Sequence, residues 1–398
     1  MSAPNRLCVF PLTLPWGKVS VAAVALLLTA PLSNPAAAQN RLALNVGEAA
    51  IWDSNPLMAV NNGESIWGSE TKASLLLDRN TPDAGLQARL SAVHNQFNES
   101  AFNSNDFFFD ANLAKRSDLL EWSLLGKANY DTTRTTDISE FGQTVGLNRR
   151  LTWQIAPGFA YALSPRSTLA FNTNWLERHY NGNSSQTDYR TTSFTPSLSF
   201  KLTPLQTALF SFQAQRYNSL DTNDRKVDSL GPSVGWKYRF GPKFSLDLLV
   251  GFLGSKFSGY PSGNGNWETN PTYSASFKYM GLQNQTALTL MRTRQPSGNG
   301  TESDLKSVRL ENRYAINQNW AFDAQALYQK KEQGDISLDT LDTAWEGLAA
   351  LIYKASDRWK LSISHKYRQE DLANGRGEAD RNIAKVELTY SFGPPPSP

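Results

Sequence analysis

Trp359-Lys-Leu-Ser-Ile-Ser-His-Lys-Tyr-Arg368 alternates without a break. Trp359, Leu361, Ile363, His365 and Tyr367 fall on one face, and Lys360, Ser362, Ser364, Lys366 and Arg368 on the other. A period of two is that of an extended strand; a helix would repeat about every 3.6 residues. One face calls for an apolar surrounding and the other for water. The same division recurs where Ala384, Val386, Leu388, Tyr390 and Phe392 oppose Lys385, Glu387, Thr389 and Ser391. It recurs again in Phe244 to Phe252, with Asp247 on the polar side, and in Val234, Trp236, Tyr238 and Phe240 against Lys237 and Arg239.

Aromatics close several apolar faces at both ends. Trp320 and Tyr328 bracket one, Trp345 and Tyr353 another, each pair eight residues apart. At ~3.3 Å per residue that spacing is about 26 Å. Outer-membrane barrels carry an apolar band of about 25 Å rimmed by aromatic girdles. The membrane-interface set is therefore Trp236, Tyr238, Trp320, Tyr328, Trp345, Tyr353, Trp359, Tyr367, Tyr390 and Phe392.

Between strands, tight polar turns alternate with long polar stretches. The turns are Leu163-Ser-Pro-Arg-Ser-Thr-Leu169, Leu202-Thr-Pro-Leu-Gln-Thr207, Phe240-Gly-Pro-Lys-Phe244, Ile316-Asn-Gln-Asn-Trp320 and Ala355-Ser-Asp-Arg-Trp359. Weaker copies start at Asn80, Lys115 and Gly281. The stretches Asn181–Thr187, Tyr260–Asn266, Gln295–Gly300 and Asn374–Glu378 are the longer links. Hairpins with every tight turn on one side read this way. Propeller blades place four strands in about 40–45 residues, and this repeat fits only two. Sandwich strands run about 5–6 residues, shorter than these; a tilted bilayer crossing needs about 9–11.

The expected fold is all-β: a transmembrane antiparallel up-and-down β-barrel of about 18 strands, with short periplasmic turns and longer extracellular loops. Sixteen strands stay open as an alternative, because Arg149 to Leu163 could be one strand interrupted by Pro157 or something else. Either number encloses a lumen wide enough for an aqueous channel.

Composition fits once both faces are averaged. The chain has 398 residues, 39 Lys+Arg against 36 Asp+Glu, 19% charged and 11% aromatic residues. No stretch beyond residue 40 approaches the ~18–20 apolar residues of a spanning helix. The near-neutral balance gives no reason to expect a nucleic-acid partner, whose binders usually carry a strong basic patch; none is expected. Arg6 and Lys18, apolar Val19–Ala30 and Ala36-Ala37-Ala38 form the three parts of a secretory signal. Cleavage after Ala38 removes Cys8, the only cysteine, and lowers the net charge from +3 to +1. The expected organisation is residues 1–38 signal peptide, 39–392 barrel in a Gram-negative outer membrane, and 393–398 a Pro-rich tail.

Parity gives the lumen side. It selects Arg89, Lys127, Lys201, Lys237, Arg239, Asp247, Arg309, Glu311, Arg313, Asp323, Glu346, Lys360, Lys366, Arg368, Lys385 and Glu387, with Glu121 beside them. Glu311 has Arg309 and Arg313 within reach as partners. Basic positions outnumber acidic ones, which favours anionic or neutral solutes. Phe108 is the candidate for a lumen aromatic on which a sugar ring could stack, although Phe107 and Phe109 flank it on the opposite parity. His94, His179 and His365 lie far apart, and no Gly-x-Ser-x-Gly, His-x-x-x-His or phosphate-binding glycine loop is present. No catalytic group, metal site or cofactor is expected.

The hairpins Tyr161–Leu169 and Leu198–Pro204, the closing Leu388-Thr-Tyr-Ser-Phe392 and the opening Ile51-Trp-Asp-Ser-Asn55 resemble the β-barrel porin type 2 family over most of the chain. That resemblance implies a conduit for export of an exopolysaccharide. Implied partners are the secreted polysaccharide, a separate periplasmic polysaccharide-export or co-polymerase protein, the barrel-assembly machinery, and outer-membrane lipid with lipopolysaccharide. The alternative reading is a general or substrate-selective diffusion porin for small polar solutes.

Overall fold

The computed structural model describes residues 39–393, apart from position 62 and the connecting segments 135–146, 182–185, 222–223, 261–264, 266, 298–300, 333–340 and 373–376. The expected signal peptide and the last five residues of the tail lie outside the described residues. The first nine strands are β1 Gln39–Asp53, β2 Ile66–Asn80, β3 Ala84–Phe97, β4 Ser104–Arg116, β5 Leu120–Thr132, β6 Arg149–Ala162, β7 Ser167–Asn181, β8 Tyr189–Thr203 and β9 Gln206–Ser219. Then come β10 Lys226–Arg239, β11 Phe244–Ser258, β12 Trp267–Met280, β13 Asn284–Ser297, β14 Thr301–Ala315, β15 Trp320–Glu332, β16 Leu341–Lys354, β17 Trp359–Leu372 and β18 Gly377–Phe392.

Each strand pairs antiparallel with the next, and β1 pairs β18 from Leu44↔Phe392 to Asp53↔Ile383. The sheet is thus a closed 18-stranded barrel, in which the first and last strands cover each other's edge. The eight tight turns expected from sequence all lie at one rim, with the start of β1 and the end of β18. Polar side chains shape them. Asn317 Oδ1 accepts from the Asn319 and Trp320 amides at 2.9 Å, and Thr81 Oγ1 accepts from the Ala84 amide at 3.0 Å. Such side-chain caps are why Asn, Ser and Thr mark turns.

The open question over residues 149–163 resolves to a single strand. In β6, Pro157 lacks the N–H that a ladder needs. Pairing with β7 therefore skips from Ile155↔Trp175 to Gly158↔Asn172 without losing register.

The outer face carries exposed Phe210, Val250, Phe252, Phe159 and Ile363 among many large apolar side chains. In water this would be an aggregation surface; a wall of this kind belongs against lipid. The inward side is polar even where it is buried, with Asp53, Asp131, Arg150, Arg368 and Glu370 all at 2% exposure or less.

One hairpin departs from the cylinder. The β12–β13 ladder ends at Tyr273↔Arg292, whereas β13 and β14 stay paired out to Ser297↔Thr301. Beyond that point Arg294 and Glu302 share the parity of outward Leu290 and Val308. Yet Arg294 bonds Glu268 of β12 at 3.1 Å and sits 5.1 Å from the Phe257 ring of β11. Glu302 accepts a 2.8 Å hydrogen bond from Gln215 Nε2 of β9, five strands away around the barrel. The far end of this hairpin leans into the lumen.

Candidate functional site: the inner wall

The inner face divides into two zones. Toward the long connections it is tightly ion-paired. Arg150 forks onto Asp131 at 3.1 and 3.0 Å, and Arg381 onto Asp53 at 2.9 and 2.5 Å. Arg134, from the β5–β6 connection, adds a 3.7 Å contact to Asp53 and lies 4.7 Å from the Phe97 ring. Burial, helped by the neighbouring Arg381 charge, pushes Arg134 down to about 10; it remains a cation at neutral pH. Glu346 accepts from Lys366 and Arg368, each at 2.9 Å, and Arg368 also bonds Glu370. Lys385 bridges Glu70 at 2.8 Å and Glu387 at 3.0 Å. A neighbouring cluster of Tyr180, Tyr189, Tyr217, Val227, Phe257 and Tyr260 packs inside β7 to β11.

Toward the turn rim the wall is open. A cavity of about 710 Å³ is lined by Asn45, Lys72, Arg89, Lys360, Glu387 and Thr389, among others. Arg89, Lys201, Lys237, Arg239 and Lys360 are exposed on this inner face. None of them forms an ion pair with a carboxylate among the described residues. Lys127 reaches Asp110 only at 3.9 Å, Arg309 reaches Glu311 at 3.5 Å, and Arg313 reaches Asp323 at 3.7 Å. Asp247 stands opposite Lys237 in register without a salt bridge. Of the two partners within reach of Glu311, the one taken is Arg309.

The sixteen positions selected from the sequence fall into separate groups along the strands. Glu346, Lys366, Arg368, Lys385 and Glu387 are drawn into close pairs, and Arg89, Lys201, Lys237, Arg239 and Lys360 are not. Phe108 also faces inward, between Ser91 and Asn129. Parity would have found Glu70, Asp53, Asp131, Glu370 and Arg381 as well, had the strands been read to their loop-side ends. Arg294 and Glu302 were beyond its reach, because the hairpin bend inverts their direction.

The outer aromatics pair across strands. Trp320 meets Tyr353 at 4.6 Å between ring centroids, Tyr328 meets Trp345 at 4.5 Å, and Trp359 meets Tyr390 at 4.7 Å. Tyr390 also meets Phe392, and Trp236 meets Tyr238. Tyr367 is exposed on the outside of β17. The three histidines stay apart. His94 contacts Asn105, His179 contacts Glu177 and Asp188, and His365 stands outside between Ala349 and Ala384.

No protein-family model matches the chain, and no curated protein matches it. Among solved structures, OccAB4 of Acinetobacter baumannii aligns over 90% of this chain and 100% of its own, at 12% identity and TM-score 0.48. The outer membrane channel DcaP of the same organism aligns over 91% and 99%, at 13% identity and TM-score 0.46. OccK2 (OpdF) of Pseudomonas aeruginosa, solved in complex with glucuronate, aligns over 89% and 98%, at 11% identity and TM-score 0.46. At such values the likeness says nothing of cargo, which has to be argued from this chain's own wall.

Proposed function

We propose that the chain is an outer-membrane diffusion channel for small polar solutes, with a preference for anions. The supporting observation is the inner wall at the turn rim, where Arg89, Lys201, Lys237, Arg239 and Lys360 stand exposed with no salt bridge to a carboxylate among the described residues. A channel wall with an excess of one sign of charge concentrates ions of the other. The loop-side carboxylates do not offset this, because Asp53, Asp131, Glu346 and Glu370 are already neutralised by arginine or lysine.

The polymer conduit implied by the family resemblance fits less well. The leaning β13–β14 hairpin and the inner aromatic cluster narrow the loop-side half, which suits small solutes better than a hydrated chain. Residues 1–38 act as the export signal in this reading. The outer aromatics sit at the two lipid–water interfaces, and β18 presents Tyr390 and Phe392 to the assembly machinery.

Reconstitution in planar bilayers tests the proposal. Under a potassium chloride gradient the reversal potential should report chloride preference, and liposomes should swell in small anionic sugars faster than in a long neutral oligosaccharide. Cation preference, or equal passage of the oligosaccharide, sinks it.

A further inference from the structure

The departure of the β13–β14 hairpin leaves a breach in the wall. Among the described residues, β12 has no ladder partner on its β13 side from Trp267 to Thr272, although its pairing with β11 continues to Trp267↔Lys256. With eight residue pairs, β12–β13 is the shortest ladder of the barrel. Both unpaired edges carry a proline, Pro271 and Pro296. Neither proline has an N–H to donate to a resumed ladder.

The depth of the breach matters. On β12 the outward Tyr279 ring packs at a tilt against Phe244 near the turn rim, and Pro271 lies eight residues farther on, the spacing that separates Trp320 from Tyr328. The breach therefore opens at the loop-side edge of the apolar band. Unpaired backbone at membrane depth is tolerated only where it meets protein or a water-filled cavity. Outside, the breach is flanked by exposed Tyr273, Phe252 and Val250. The Trp267 ring packs over Gly254 of β11, on the side away from β13. Inside, Arg294 of the leaning hairpin is tied to Glu268, holding the slit's inner lip to β12.

We infer that this slit is a lateral exit, through which an amphiphilic solute with a straight apolar chain passes from the lumen into the outer leaflet. Its polar backbone edge carries the head group while the chain enters lipid between Tyr273 and the outer face of β14. The choice of a carboxylate head rests on the anion preference proposed above; the slit does not.

The test uses the full barrel in vesicles, with dodecanoate and succinate as probes. Cys8 is the only cysteine in the sequence, so an Asn270→Cys, Gln295→Cys pair can be cross-linked selectively. These two would face each other if the ladder continued. They should resist direct disulfide formation, which requires Cα atoms within about 7 Å, and be bridged only by a long bifunctional thiol reagent. Once bridged, acceleration of dodecanoate transfer should be lost while succinate flux persists. A Ser276→Cys, Thr289→Cys pair, in register within the intact ladder, should be bridged without affecting either flux and controls for folding. A disulfide forming at once between positions 270 and 295, or dodecanoate transfer that is absent from the start or unchanged by the bridge, overturns the exit. Loss of succinate flux alone would strike the anion channel instead.

Discussion

Asp53, the last residue of the first strand, is gripped by Arg381 of the last strand through two hydrogen bonds across 328 residues of sequence. Both side chains are buried, and Arg134 approaches the same carboxylate. The pair locks the β1–β18 seam on which closure depends. Arg381→Met should leave a buried carboxylate short of its main partner, a loss of about 3–5 kcal/mol. It should read as a lower urea midpoint for the heat-modifiable barrel band. Arg381→Lys should recover little, because a lysine cannot reproduce the fork. Equal midpoints for Met, Lys and wild type would show that the seam does not need this contact.

Charge reversal separates the two zones of the inner wall. Lys237→Glu with Arg239→Glu acts on exposed, unpaired cations, so folding should be unaffected while anion preference falls. A unit charge 4 Å from a permeating ion in water is worth about 1 kcal/mol, or about fivefold in ion partitioning. Two reversals should therefore move the permeability ratio several-fold toward cations. The effect should fade near 1 M salt, where the screening length is about 3 Å. Arg368→Gln should behave in the opposite way, destabilising the barrel through Glu346 and Glu370 with little change in reversal potential. The two variants together distinguish a selectivity wall from a structural one.

How far the sequence could be read follows from the range of the interactions. Asn317, Thr81 and Ser117 cap their own turns within three residues, so the eight turns were legible locally, whereas eighteen strands against sixteen stayed open around Pro157. Period two placed Lys237 and Arg239 inside for the same reason. It did not reveal that Arg368 would be held by Glu346 and Glu370 and Lys360 left without a salt bridge, since that depends on which strands the closed barrel makes neighbours. Arg294 was the hardest case. Its parity matches Leu288 and Leu290, and only the end of the β12–β13 ladder turns it inward. Pro271 and Pro296 stand at that break, but Pro157 and Pro196 stand in strands that stay paired, so proline alone did not mark it.

Close backbone approach makes a third prediction. At Gly231 the β10–β11 ladder skips from Leu230↔Gly254 to Ser233↔Gly251. A Cβ placed on Gly231 would lie 1.7 Å from the Phe252 carbonyl oxygen, and one on Gly251 would lie 2.5 Å from that of Pro232. Neither obstacle is a flexible side chain. Gly231→Ala should force β10 from β11 and greatly reduce the yield of folded barrel, whereas Gly347→Ala, which has nothing within 4 Å, should fold normally. A Gly231→Ala barrel with unchanged heat-modifiability would mean that the strands part at no cost.

The leaning hairpin should set the unit conductance. Arg294 anchors it through Glu268 and the Phe257 ring, and Gln215 holds Glu302 from across the lumen. Glu268 is 40% exposed on its side chain, so Arg294→Ala leaves it solvated rather than stranded. The stability loss should then fall well short of the roughly 3–5 kcal/mol expected for a fully buried pair. With one anchor gone the hairpin end is free to swing back toward the wall, and single-channel conductance should rise along with the largest solute admitted in swelling assays. Adding Gln215→Ala should increase both further, because the two anchors hold the same segment from opposite sides. The turn-rim cations are untouched, so the reversal potential should move little while conductance grows. Unchanged conductance in both variants would place the narrowest point elsewhere, with the tyrosine cluster inside β7 to β11 as the next segment to open.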